Sequence, residues 1–266
     1  KDTDVVIFAG GISPLLEGES MRVSDPGFKG GDRTEIELPA IQREVLSLLK
    51  KNGKKVVFVN FSGSAMAIVP ETQNCDAILQ AWYPGQAGGT AVADVLFGDY
   101  NPAGRLPVTF YKSMQQLPDY EDYSMKGRTY RFMKETPLYP FGYGLSYTRF
   151  SYGKGKLSQS KLRKGEKVVL TIPVSNIGES NGEEVVQVYI SRPDDKGGPQ
   201  KTLRGFKRVN IAKEKTENVT IELPYESFEW FDTATNTMHP LTGTYKVLYG
   251  SSSADDDLQS LPIKIL

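Results

Sequence analysis

The chain has one cysteine, Cys75, and one histidine, His239, among its 266 residues. A single cysteine excludes an internal disulfide and any cysteine-based zinc cluster. A single histidine removes most catalytic triads and most transition-metal sites. Charge of one sign is not in excess either, because 32 basic residues balance 32 acidic ones. Without a strong field or a block of like charge, nucleic acid is not an expected partner. No stretch approaches the ~20 apolar residues that span a bilayer, and no leader-like segment follows Lys1. What is present is glycine, proline and tyrosine, 26, 16 and 14 of them, and nine of the tyrosines lie in the middle of the chain, between residues 99 and 155.

Two kinds of periodicity flank that middle. Asp4 to Gly11 reads as a buried strand that ends in a glycine turn. Residues 38 to 52 read as a helix, with Leu38, Ile41, Val45, Leu48 and Leu49 on one face, Pro39 in the first turn and Gly53 just past the end. Val56 to Asn60 and Asp76 to Trp82 are further strands, and Gln86 to Phe97 is a helix stopped by Gly98. Strands alternating with helices predict a parallel sheet covered by helices. Ligands of such sheets sit outside the carboxyl ends of the strands, which here means loops 10–35, 60–66 and 82–90. Few strands are available for a complete sheet, so the chain is expected to be the C-terminal piece of a larger protein.

From about Lys161 the period changes to two. Val168–Val174, Glu184–Ile190, Thr216–Leu223, Gly243–Tyr249 and Leu261–Leu266 are strand candidates, separated by turn signals such as Asp194-Asp195-Lys196-Gly197-Gly198. Short strands with turns between them predict a β-sandwich of immunoglobulin or fibronectin type III shape. The fold class expected is therefore α/β followed by all-β: a mostly parallel α/β sandwich, incomplete at its N-terminus, and then the β-sandwich. The expected domains are 1–110 and 156–266, with 111–155 as an aromatic, Gly- and Pro-rich connector. Its centre, Tyr139-Pro140-Phe141-Gly142-Tyr143-Gly144-Leu145-Ser146-Tyr147-Thr148, is broken by proline and glycine too often for a helix and is too glycine-rich for a plain strand.

Chemistry has few places to sit. Glu17-Gly18-Glu19 puts two carboxyls about a glycine in a loop at the carboxyl end of the first strand. A solvated acidic loop is the plain structural reading. A glycosidase acid is the functional one, since glycoside cleavage needs one carboxyl to protonate the leaving oxygen and a second to attack or to activate water. Asp32-Arg33 ahead of Leu38-Pro39 suggests an arginine that ties the loop down by an ion pair. Gln86-Ala87-Gly88-Gly89-Thr90 could suggest a phosphate cradle, but it lacks the Lys-Ser/Thr ending of a P-loop, so close helix–strand packing is the reading preferred for its glycines. Trp230, with Phe228 and Phe231, is either a sugar platform or, more commonly, a sandwich-core tryptophan.

Longer strings carry a resemblance. Trp82-Tyr83-Pro84-Gly85-Gln86-Ala87-Gly88-Gly89 and Val95-Leu96-Phe97-Gly98-Asp99-Tyr100-Asn101-Pro102-Ala103-Gly104-Arg105-Leu106-Pro107-Val108-Thr109-Phe110 resemble signatures of glycoside hydrolase family 3. Pro137 to Thr148 resembles that family's linker into its third domain. Glu183 to Tyr189 and Lys201 to Arg208 are similar to its fibronectin type III-like domain. The match runs in order over essentially the whole chain.

The resemblance implies the C-terminal portion of a retaining, exo-acting β-glycosidase of β-glucosidase or β-xylosidase type, acting on oligosaccharides or aryl β-glycosides. It implies a barrel domain outside this chain that bears the aspartate nucleophile, a mechanism that needs no metal and no organic cofactor, and hence a fragment inactive by itself. The general acid/base is implied in a Glu-x-Glu-Gly loop followed by Asp-Arg, which makes Glu19 the better candidate and Glu17 the close alternative. This sequence departs from that pattern: Ser20 replaces the usual glycine, and Asp32-Arg33 follows more than ten residues later. Trp82, Tyr83 and Tyr130 are candidates to line aglycone subsites. Export to the periplasm or the exterior follows from the family alone. The competing expectation is a non-catalytic carbohydrate-binding or structural module.

Overall fold

The structure, a computed structural model, describes residues 3–19 and 21–266. These fall into two units. The first is Lys1–Phe97 with Thr109–Asp122 and Glu135–Tyr139; the second is Gly98–Val108 with Tyr123–Lys134 and Pro140–Leu266.

In the first unit the order is β1 (Val5–Gly11), α1 (Pro14–Glu17), β2 (Phe28–Lys29), β3 (Asp32–Arg33), α2 (Ala40–Lys51), β4 (Lys55–Phe61), α3 (Val69–Asn74), β5 (Ala77–Gln80) and α4 (Gly88–Phe97). The strands β1, β4 and β5 form one sheet in that order, both pairings parallel, with Val5 opposite Lys55 and Val57 opposite Ala77. Central β4 is buried almost throughout, as a strand covered on both faces must be. Edge strand β1 alternates instead: Phe8 packs towards Phe58, while Val5 and Ile7 are 45% and 47% exposed. Buried Ile12, Leu38, Leu46, Val56, Phe58, Met66, Ile68 and Cys75 make the core.

Helix α2 is capped as its sequence asks. Gly53 takes φ +70°, Gly53 N–H donates to Lys50 O and Lys54 N–H to Leu49 O, the paired bonds of a Schellman stop. Its buried face is not the one that periodicity suggests. Leu46 is fully buried, whereas Ile41 and Leu48 are exposed. The apolar stripe is broader than the strip of sheet beneath it, so the helix turns Leu46 and Leu49 inward and leaves those two outside. Pro39 is the residue before the first turn, not a member of it. Phe110 and Tyr139 also belong to this unit: they pair as a short antiparallel bridge, and Phe110 meets the rings of both Trp82 and Tyr139 edge-on.

The second unit holds α5 (Thr129–Phe132), β6 (Phe150–Tyr152), β7 (Lys156–Leu157), β8 (Lys161–Leu162), β9 (Lys167–Asn176), β10 (Gly182–Ser191), β11 (Thr202–Ile211), β12 (Thr216–Pro224), β13 (Glu229–Asp232), β14 (Thr237–Pro240), β15 (Gly243–Gly250) and β16 (Leu258–Ile265). One sheet runs β11-β10-β15-β16-β8 and the other β12-β9-β6, with β7 also on β9. Strict alternation along β9 sends Val168, Leu170, Ile172 and Val174 inward, where they meet Val186, Val188 and Ile190 of β10 and Tyr245, Val247 and Tyr249 of β15. Trp230 belongs to this core, with its indole N–H donated to Asp195 Oδ2 at 2.6 Å. It is therefore not a sugar platform.

Most of the aromatic run belongs to this second unit. Phe141 stacks on Tyr130 with ring centres 4.5 Å apart and meets Tyr189 edge-on. Gly142 has φ +82°, and a β-carbon there would lie 1.9 Å from Gln187 Oε1. Only glycine allows Gln187 Nε2 to donate to Gly142 O at 3.0 Å.

Candidate active site

The carboxyl ends of β1 and β4 open into a cavity of about 450 Å³ lined by Gly11, Ile12, Leu16, Gln42, Phe61 and Tyr83, among others. Gly11 ends β1 with φ +126°, and a side chain there would strike Phe61 O. Gln42 closes this corner: its Oε1 accepts from Gly11 N–H and its Nε2 donates to Gly11 O, both at 2.8 Å. A polar layer lies at the ends of β4 and β5. Asn60 Nδ2 donates to Gln80 Oε1 at 2.7 Å, and Gln80 Nε2 donates to Ser62 O at 3.2 Å.

Beyond β1 the chain turns into α1, capped by Ser13 Oγ, which accepts from Leu16 N–H. Gly18 ends this single turn in the left-handed region at φ +66°. A β-carbon on Gly18 would lie 2.0 Å from Val23 Cγ2. Glycine is thus required between the two candidate carboxyls. Glu17 is half-buried and Glu19 exposed; Ser20 lies outside the described residues. The sequence then makes a two-residue hairpin, β2 to β3, across Gly30 and Gly31 at φ +65° and +81°, the positive-φ pair that such a turn demands.

Four segments converge here. Tyr83 Oη donates to Glu17 Oε2 at 3.0 Å. The Tyr83 ring lies against Gly63, where a β-carbon would approach Cε2 to 2.6 Å. Arg33 Nη1 donates to Ser64 Oγ at 2.9 Å and its Nε to Glu35 O at 3.1 Å. The ion pair expected of Arg33 is not among the ion pairs of the described residues; hydrogen bonds to a neighbouring turn tie the loop down instead. Burial lowers the Arg33 pKa below its ordinary value, against the opposing charges of Glu17 and Glu37. Burial and then the bond to Glu17 hold the Tyr83 phenol above its usual range, so it stays a protonated donor at neutral pH.

Trp82, just before Tyr83, has φ +58°. For a bulky residue this is a strained conformation, costing about 1–3 kcal/mol. Its ring packs edge-on against Phe110.

Of the sequence-derived candidates, Glu17 and Tyr83 are in contact, Glu19 is two residues from Glu17, and Trp82 turns its ring to Phe110. Tyr130 belongs to the second unit, where its hydroxyl accepts from Leu203 N–H at 3.1 Å. Gly63, Ser64, Gln42 and the Asn60–Gln80 pair were not singled out by sequence reasoning. The available signal was positional, since Asn60, Gly63 and Ser64 lie in loop 60–66, at a strand's carboxyl end. Among the described residues no group of three His, Cys, Asp or Glu could hold a metal ion.

The fold defines a class: an α/β domain with a carboxyl-bearing loop beyond β1, followed by a β-sandwich. Sequence comparison then names the family. The Glycosyl hydrolase family 3 C-terminal domain matches residues 1–147, and the Fibronectin type III-like domain matches 184–253. The chain belongs to glycosyl hydrolase family 3. It is 58% identical to a xylan 1,4-β-xylosidase of Xylanibacter ruminicola, over all of this chain and 30% of that protein. It is 35% identical to a periplasmic β-glucosidase of Salmonella typhimurium, over 96% of this chain and 34% of that one. A β-glucosidase structure from Erythrobacter marinus superposes with a TM-score of 0.83 at 35% identity, over all of this chain and 35% of that one. The chain thus spans about a third of the length of these relatives.

Proposed function

We propose that the chain is the C-terminal portion of a retaining, exo-acting β-glycosidase that removes terminal β-linked glucose or xylose. It would supply the general acid/base, and a barrel domain outside it the aspartate nucleophile. The observation that carries this reading is the loop beyond β1, where Gly18 in the left-handed region separates two carboxyls and Tyr83 holds the first of them. Names of relatives, β-xylosidase and β-glucosidase, support the substrate class.

In a retaining site the two working carboxyls lie about 5–5.5 Å apart. Glu19, exposed at the tip of its turn, is the acid/base of this proposal. Protonated, it gives its proton to the aglycone oxygen as the nucleophile takes the anomeric carbon. Ionised, it takes a proton from the water that then releases the sugar. A second assignment, to Glu17, draws on its bond to Tyr83. Export of the parent enzyme is proposed with this function, in keeping with the periplasmic relative.

The test is turnover of aryl β-glucoside and β-xyloside by the full-length enzyme carrying Glu19→Ala or Glu17→Ala. The true acid/base variant should lose about 10²- to 10⁴-fold, the usual contribution of a general acid or base, and recover when azide replaces water as the second nucleophile. Full activity in both variants would reject the role and leave the chain as a non-catalytic carbohydrate-binding or structural module.

A further inference from the structure

We propose that Tyr83 is a positioning residue for the acid/base loop: its phenol holds the Glu17 carboxylate and so sets the Gly18 turn that presents Glu19. This rests on the reading of that loop given above.

The geometry around Tyr83 is built to aim one hydroxyl. Trp82 is held in a left-handed conformation that bulky residues avoid, and its ring is seated against Phe110. That conformation turns the chain just before Tyr83. The phenol ring then rests where Gly63 has no side chain, since a β-carbon there would come within 2.6 Å of Cε2. The hydroxyl ends 3.0 Å from Glu17 Oε2, across 66 residues of sequence. Arg33 fastens the far end of the same loop to Ser64, the neighbour of Gly63. Its Nη2 is buried with no partner among the described residues, and its charge faces Glu17 and Tyr83. Both ends of the loop are therefore tied to one turn, 63–64, with Tyr83 between them.

Tyr83 itself is 40% exposed. Removing one oxygen from a half-exposed ring leaves the core intact, so a merely structural role predicts no change in chemistry. A positioning role predicts a specific one. Proton donation works only with the donor in hydrogen-bond reach of the leaving oxygen, and a misplacement of about 1 Å can cost as much as 10²-fold.

The experiment is kcat/KM of the full-length enzyme on two β-glycosides of the same sugar, one with an alkyl and one with a dinitrophenyl leaving group. An alkoxide needs the proton to leave, and dinitrophenolate does not. Tyr83→Phe should lower kcat/KM for the alkyl glycoside by about 10- to 100-fold and leave the dinitrophenyl glycoside nearly unchanged. Gly63→Ala, which displaces the ring but keeps the hydroxyl, should show the same split. Equal losses on both substrates, or none on either, would overturn the proposal. Glu17→Ala and Glu19→Ala are run alongside. If one of them discriminates between the leaving groups and Tyr83→Phe does not, positioning fails alone. If neither discriminates, the acid/base reading and the positioning proposal fall together.

Discussion

The two units solve the burial of apolar surface in opposite ways. The second closes two sheets over one core, and its long strands alternate so regularly that β9 and β10 leave almost no inward side chain in contact with water. The first is an open three-stranded parallel sheet. One face of β1 is exposed at Val5 and Ile7, and α2 exposes Ile41 and Leu48. The difference lies in where each unit keeps its polar groups. In the second unit the buried Gln187–Gly142 bond serves packing, whereas the first also gathers Gln42, Asn60 and Gln80 where its strands end.

A pair of buried glutamates makes the comparison measurable. In the second unit Glu184 accepts two bonds from Arg105 Nη2, at 3.0 and 3.1 Å, with side chains 3% and 8% exposed. In the first, fully buried Glu71 accepts one bond from Arg43 at 3.2 Å, and Arg43 is 30% exposed.

The largest effect is expected from Arg105→Ala. It strands a buried carboxylate and should cost about 3–5 kcal/mol, read from denaturant unfolding. Replacing Arg105 and Glu184 together with methionine should recover most of that loss, because two charges then leave the interior at once. A single variant as stable as the parent would break the contrast. Leu46→Ala comes next, at about 2–5 kcal/mol for a cavity in the first unit's core. Cys75 reports on that unit separately. Burial first, then the charges of Glu71 and Asp76, push its thiol up to about 11. At pH 8 the folded thiol should label about 10²-fold more slowly than a free one, and Leu46→Ala should speed the labelling. Labelling already at the free-thiol rate would show the first unit open.

Arg43→Ala should cost less than Arg105→Ala, about 1–3 kcal/mol for a buried acceptor left unpaired, since water already reaches Arg43. Equal losses at the two sites would erase the distinction between the units. The smallest effect is Ile7→Thr on the exposed face of β1, within about 0.5 kcal/mol. A larger loss in the melting of this chain would mean that this face is packed.

Much of the fold was legible because each element carries its own period. The alternation in β9, β12 and β15 and the stop at Gly53 are local facts, and they reappear within a residue or two. Strand β11 was missed as a strand, although its residues Lys201 to Arg208 carried part of the family resemblance. It is the edge of its sheet, Phe206 to Arg208 are all exposed, and only Val209 and Ile211 at its end pack on the core, so most of its length shows no alternation. The inward turn of Leu46 was missed for a related reason: an apolar arc wide enough to hold both Leu48 and Leu46 does not declare which part of it the core will cover.

The site was legible only in outline. That Glu17 and Glu19 flank a glycine beyond a strand is a local fact, and so is the aromatic pair at Trp82-Tyr83. The sequence alone determined the type of the long periodic elements, the balance of charge, the poverty in histidine and cysteine and the family resemblance, all of which are properties of short strings or of totals. Only the tertiary structure decided that Tyr83 reaches Glu17, that Gly63 clears space for its ring and that Arg33 is fastened to Ser64. Those choices follow from parallel strands β1, β4 and β5 lying in register, which brings loops far apart in the chain to the same end of one sheet. No period within a segment records that meeting, because it depends on which strands pair.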